Sequence, residues 1–362
     1  MKNRKKNKRN GLNIIILVEV LLITVLLVVA AVVLRKQVVG DEEETQTQTQ
    51  VVAEEIDFDA IESTMPTPHP LELSALYTED DLKASDIGTE NEVQGTTIDD
   101  GVLDVVIMGD SIWDNHRGEG ISTAEWVEKQ LNERIAETTD VDMEVRIHNL
   151  AVGGTCAAVI EGSTYAESWS SRSLTGMMYS ILGRINPEPL YSGEDAYQYI
   201  SGVDLSKVDY FVFSYGLNDY FFGNPVVPEQ DLFDLSSYVG SLRHATFVLR
   251  QECPDARFLI MAPTYCQFYE HGEVTATCLD RDYGGGGTLD NYVGGARLVS
   301  EEYNTLFLDA FNDFGFDAST MDEYYEDGVH LNGAGMEIYA SHVSNCIWDD
   351  YCLIHDVVDS VG

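Results

Sequence analysis

A doubly wound α/β sandwich is the fold class predicted for residues 101–357 of this 362-residue chain. Short β-rich runs alternate there with longer helical stretches, as a sheet wound from βαβ units requires. Three of the runs, Leu103–Met108, Tyr210–Ser214 and Phe258–Met261, are almost continuously apolar, which suits parallel strands covered on both faces. The chain is 44% hydrophobic, enough for a sizeable core, so a wholly disordered protein is excluded.

In chain order the candidate strands are Leu103–Met108, Met143–His148, Tyr210–Ser214, Phe258–Met261 and Thr305–Leu308. Between and after them lie candidate helices over 122–137, 172–184, 231–251, 289–303 and 333–349. The serines around Arg172 offer N-caps for the second helix, and Asn332-Gly333 is a start signal for the last. The stretch from Thr155 to Val208 reads as an insertion near the mouth of the site, and Gly284–Gly287 as a flexible loop on the substrate side.

The charge is uneven. The chain carries 62 acidic and 21 basic residues, a formal net charge of −41, and eight of the basic residues lie within residues 1–36. Residues 1–13 read as a basic cytoplasmic tail. The apolar run 14–34, broken only by Glu19, would span about 31 Å at 1.5 Å per residue, so it is expected to be a transmembrane helix. It is too long for a signal-peptide core and is followed by Arg35-Lys36 rather than a small-residue cleavage site. Six basic residues before the run against two after it place the N-terminus inside and the remainder outside. Residues 35–100 read as an acidic, mostly disordered stalk, with 18 acidic residues against Lys83 from position 41 onward. This acidity argues against nucleic acid as a partner and against an anionic substrate.

In a doubly wound sheet ligands bind where the strands end, so chemistry is sought just after each strand. Gly109-Asp110-Ser111 follows the first strand, where a serine can expose its hydroxyl and offer its own N–H to an oxyanion. Asn149-Leu-Ala-Val-Gly153-Gly154-Thr155 follows the second, and glycine there lets the backbone N–H approach a ligand. Gly216-Leu217-Asn218-Asp219 follows the third and supplies a side-chain amide donor. Asp327-Gly328-Val329-His330 precedes the last helix, with an acid placed to orient an imidazole. Each motif alone is an ordinary turn sequence.

Together, and in this order, they resemble the four blocks of the SGNH hydrolases, also called the GDSL esterase family, over about residues 103–350. Ile112 stands where the family more often has Leu, and the family's spacing from Asn149 points to Gly154 ahead of Gly153. The resemblance implies a three-layer α/β/α sandwich with a mainly parallel, five-stranded, flavodoxin-like sheet. It implies catalytic roles for Ser111 as nucleophile, His330 as general base and Asp327 as the acid that orients it. It implies an oxyanion hole from the N–H groups of Ser111 and Gly154 and the amide of Asn218, and no metal or cofactor. The implied reaction is hydrolysis of a carboxylic ester through an acyl-serine. Within that class an O-acyl, first of all O-acetyl, esterase acting on a carbohydrate is expected. The alternatives are a lipolytic esterase or lysophospholipase acting on longer acyl esters, and a non-catalytic surface module that keeps the fold.

Competing sites are weaker. Trp113 stands where a Gly-x-Ser-x-Gly elbow would need its second glycine, and the acidic residues lack metal-ligand spacing. His116 reads as surface-exposed without an acid partner, and His148 as structural. Trp113, Tyr215, Tyr220, Phe221, Phe222 and Tyr265 lie near the motifs, and half of them are expected in the core and half free to stack on sugar faces. Six cysteines allow three bridges, with Cys266/Cys278 and Cys346/Cys352 closest in sequence; buried free thiols are an equal alternative.

Overall fold

A computed structural model of the chain describes residues 94–138, 141–159, 172–229 and 231–357. The expected tail, membrane span and nearly all of the expected stalk lie outside the described residues. Among the described residues no helix is long and apolar enough to cross a membrane.

The five expected strands form one sheet: β1 (Val102–Gly109), β2 (Glu144–Asn149), β3 (Tyr210–Ser214), β4 (Arg257–Met261) and β7 (Leu306–Leu308). Their order is β2-β1-β3-β4-β7 and every pairing is parallel. In register, Val106 lies opposite both His148 of β2 and Phe211 of β3. The apolar continuity of β1, β3 and β4 has the expected cause: nearly all their side chains are buried, because helices cover both faces.

The helices are α1 (Ser111–Asp114), α2 (Thr123–Glu137), α3 (Leu174–Ile181), α4 (Glu188–Tyr191), α5 (Tyr197–Ile200), α6 (Leu217–Phe222), α7 (Tyr238–Glu252), α8 (Leu289–Tyr303), α9 (Met321–Tyr324) and α10 (Gly333–Ile354). α2 packs on α10, while α7 packs on α3 and α8, giving the two outer layers. Their caps are written in the sequence, although α7 begins at Tyr238, after its cap Ser237, rather than at the expected 231. Ser122 and Glu125 form a reciprocal capping box on α2, Ser173 caps α3, Ser237 caps α7, and Asn332 accepts from the N–H groups of Ala334 and Gly335 on α10. Each such cap contributes about 1 kcal/mol. The insertion after β2 includes α3, whose side chains are all buried against the sheet and α7.

Two features depart from expectation. Residues just upstream of Gly101 pack on the domain: Thr97 N–H donates to Asp255 O (2.9 Å) and Ile98 N–H to Asp209 Oδ1 (2.7 Å). A hairpin, β5 (Gln267–Glu270) paired with β6 (Glu273–Thr277), stands apart from the main sheet. Its two-residue turn places His271 and Gly272 at φ +54° and +84°, the pattern of a type I′ turn.

β2 and β3 lie on opposite sides of β1, so the chain switches direction across the sheet between them. The crevice at a switch point opens at the carboxyl ends of the strands. Three of the four motifs leave the sheet there.

Candidate active site

Ser111 is the first residue of α1, immediately after β1. Asp110 caps this short helix, its Oδ1 accepting from Ile112 N–H at 3.1 Å. Trp113 is fully buried below, edge-on to Tyr339 with ring centroids 5.6 Å apart. The serine therefore stands on a packed base at the sheet edge.

The second motif lies against it. An ideal Cβ on Gly153 would lie 3.8 Å from Ser111 Cβ, so the Gly153-Gly154 turn flanks the serine. Asp114 engages the first of the two glycines. Its Oδ2 accepts from Gly153 N–H at 2.8 Å, while Oδ1 holds Arg117 Nη2 at 2.8 Å. Arg117 continues to the carbonyls of Asn149 (2.8 Å) and Ala151 (2.9 Å). Asn149 closes the brace by donating from Nδ2 to Trp113 O at 2.8 Å and accepting from Ala151 N–H at 3.1 Å. Gly153 N–H is thus engaged, whereas Gly154 N–H and Ser111 N–H have no acceptor among the described residues. Gly154 has φ +75°, a conformation that a side chain strains.

Asn218 enters from the start of α6. Its Nδ2 donates to Thr155 O at 3.0 Å and makes a long 3.5 Å contact with Asp110 Oδ2. The amide is thereby placed between the neighbours of Gly154 and Ser111. The adjacent Asp219 is buried and accepts from Ala157 N–H, Ala158 N–H and Asn224 Nδ2, which ties the second and third motifs together. Burial raises the Asp110 carboxyl to about 7, and the nearby Asp219 charge adds to this against the opposing pull of Ile112 N–H and His330. Burial likewise raises Asp219 to about 6 despite its three donors.

The last motif completes the group. His330 Nε2 lies 3.1 Å from Ser111 Oγ, and its Nδ1 lies 2.7 Å from Asp327 Oδ2. Asp327 Oδ1 accepts from the N–H groups of Val329 (2.6 Å) and His330 (2.7 Å), so the carboxylate is held by the backbone of its own loop while Oδ2 meets the imidazole. Partial burial would raise the Asp327 carboxyl, but its hydrogen bonds from the imidazole and from those two N–H groups outweigh it and hold it below the usual range. A charged Asp327 accepts a hydrogen bond from His330 Nδ1–H, which keeps the ring proton on Nδ1 and leaves the Nε2 lone pair facing the hydroxyl. The loop is anchored on both sides: Glu326 N–H donates to His330 O (3.0 Å), and Asn332 N–H to Tyr324 O (2.9 Å).

All five expected site residues are therefore brought to one edge of the sheet. His116 differs from its expectation. Its Nδ1 lies 3.1 Å from Glu119 Oε2 and its Nε2 3.1 Å from Glu326 Oε2, beside Asp327. Both acid partners are distant enough, in sequence or across a φ-positive turn, to escape a linear reading. These hydrogen bonds raise the His116 pKa above its usual value. His148 is buried on Asp104, at 3.1 Å. Of the six aromatics near the motifs, Trp113, Tyr215, Tyr220 and Tyr265 are buried, and Phe221 is partly so, leaving Phe222 exposed. Sequence reasoning missed Asp114 and Arg117, which hold the glycine turn. An acid and a base three apart on a helix end was the available signal.

A serine hydroxyl, an imidazole and a carboxylate in series at the edge of a parallel sheet define a serine hydrolase of three-layer α/β architecture. The chain belongs to the GDSL-like lipase/acylhydrolase family, whose model matches residues 107–338, and the enzymes of that family hydrolyse ester bonds. Solved structures similar to it include a protein from Lactobacillus plantarum, at 17% identity and TM-score 0.45, covering 68% of this chain and 97% of that one. The lipase/acylhydrolase of Enterococcus faecalis is similar at 14% identity and TM-score 0.41, covering 72% and 100%. A carbohydrate acetylesterase of Sinorhizobium meliloti is similar at 12% identity and TM-score 0.42, covering 68% and 99%. No curated protein matches the chain.

Proposed function

We propose that Ser111 is the nucleophile of a two-step ester hydrolysis, with His330 as its base and Asp327 as the group that orients and stabilises the imidazolium. The observation that carries the reading is the continuous relay from Asp327 Oδ2 through the His330 ring to Ser111 Oγ, with spacings of 2.7 and 3.1 Å. Ser111 Oγ bonds to the ester carbonyl carbon as its proton passes to His330 Nε2. The carbonyl oxygen becomes an oxyanion and accepts from Ser111 N–H, Gly154 N–H and Asn218 Nδ2. The carbon–oxygen bond to the alcohol then breaks, and His330 returns the proton to the departing oxygen. Water adds to the acyl-serine by the same route in reverse, His330 taking its proton, and the carboxylic acid leaves with Ser111 restored.

The substrate proposed is an O-acylated carbohydrate, with acetyl as the acyl group. The acidity of the chain supports a neutral substrate over an anionic lipid. The chain is further proposed to be held by residues 14–34 in a membrane, as a single pass with its N-terminus cytoplasmic and residues 101–357 outside. Both the apolar run and the basic residues flanking it support this. A panel of acylated saccharides assayed for acetate release, with Ser111→Ala as control, tests the substrate. Release that depends on Ser111 is expected. Activity confined to nitrophenyl esters of long acyl chains would point instead to a lipolytic enzyme.

A further inference from the structure

A cavity of about 530 Å³ opens between the β5–β6 hairpin and the loop Asp327–Val329. We propose that it is the subsite for the alcohol half of the ester, and that it is built to seat a sugar ring. The inference rests on the hydrolase reading above and names where its carbohydrate lies.

The position follows from the proton's path. His330 must protonate the departing oxygen, so the alcohol lies on the imidazole's side of the ester while the carbonyl oxygen points to the N–H donors. The cavity is walled by the imidazole's own loop, and its far wall is the hairpin. The two walls are joined. Gln267 N–H donates to Gly328 O at 2.9 Å, and a Cβ on Gly328 would come within 2.0 Å of Gln267 O, so the contact allows no side chain there. The hairpin side is also tied to the oxyanion side, because Tyr220 of α6 donates from its hydroxyl to Arg281 O at 3.1 Å. The cavity's walls are thus tied to the two segments that carry His330 and Asn218.

The lining fits a carbohydrate. Tyr269 is 41% exposed and offers an aromatic face. Arg281 stacks over Phe268, its guanidinium carbon 4.3 Å from the ring centroid. Its Nη1 and Nη2 donate to the Tyr283 and Thr275 hydroxyls over long 3.4 Å contacts, and the guanidinium's remaining N–H groups are left for a ligand. Thr275 and Glu270 add a hydroxyl and a carboxylate. A pyranose has an apolar face of C–H bonds and a rim of hydroxyls that both donate and accept. An aromatic face beside a guanidinium and a carboxylate matches both. A fatty alcohol would leave these polar groups unpaired.

The test compares two acetate esters that form the same acetyl-serine: an acetylated monosaccharide and vinyl acetate, whose alcohol is too small to reach the hairpin. The ratio of their kcat/KM values is measured for the wild-type enzyme and for Tyr269→Ala and Arg281→Ala. Each substitution is expected to lower the saccharide-to-vinyl ratio roughly tenfold. General misfolding lowers both values and leaves the ratio in place. A wild type that cleaves the saccharide ester while both variants keep its ratio overturns the subsite alone. A wild type that cleaves vinyl acetate and no saccharide ester overturns the carbohydrate reading and the subsite with it.

Discussion

Asn218 offers its side-chain amide from the start of α6, held by Thr155 O at 3.0 Å. If it stabilises the oxyanion, Asn218→Ala should lower turnover of an activated acetate ester by about 10²–10³. Near-wild-type turnover in a folded variant would remove Asn218 from the mechanism. Asp110 carries a different prediction. Burial raises its carboxyl from an ordinary 3.8 to about 7. Between those values the folded protein holds a proton that the unfolded chain releases, so raising the pH through that window destabilises the fold. Asp219 acts in the same direction up to about 6. Asp110→Asn should therefore flatten the fall of Tm between pH 4 and 7. A fall as steep as the wild type's would assign the pH dependence to other groups. Spacing points to Gly154 ahead of Gly153, and a side chain 39 positions away, Asp114, agrees with that order by occupying Gly153 N–H.

The main-sheet strands and the positions of five helices were legible because each has a periodicity, an apolar run or a cap that acts locally, while the bounds of α3 and α7 were drawn too wide. The hairpin was not, since Gln267–Glu270 and Glu273–Thr277 are short and largely exposed, without an apolar run to betray them. Its signal was the His271-Gly272 pair between β-rich segments. The aromatics near the motifs misled in the opposite sense, because proximity in sequence to a motif says nothing of which face of the sheet a ring enters. The hairpin also brings Cys266 and Cys278 opposite each other at its base. Cys278 N–H donates to Cys266 O at 3.0 Å, and Cys266 N–H lies 3.5 Å from Cys278 Sγ. Directly opposed cross-strand residues fall within the reach of a disulfide. Exchange with oxidised glutathione, in which the two thiols are oxidised and the donor disulfide is reduced, should link them. Peptide mapping after alkylation in denaturant is expected to recover a Cys266–Cys278 peptide, and full alkylation of both would contradict it.

The net charge of −41 averages unlike regions, since residues 37–362 hold 61 of the acidic residues and 13 of the basic ones. On the proposed topology the basic minority orients the chain, and removing residues 1–36 should move the protein from the membrane fraction to the soluble fraction with its esterase activity intact. A truncated protein that still sediments with membranes would show that another segment holds it there. The hydrolase chemistry itself rests on one relay at the sheet edge, whose Ser111–His330 contact joins residues 219 positions apart. The measurement that tests it most directly is mass mapping of the adduct formed with a fluorophosphonate probe. The label is expected on Ser111 in the wild-type protein and is expected to be absent from Ser111→Ala. A label on any other residue, or undiminished labelling of Ser111→Ala, would contradict Ser111 as the nucleophile.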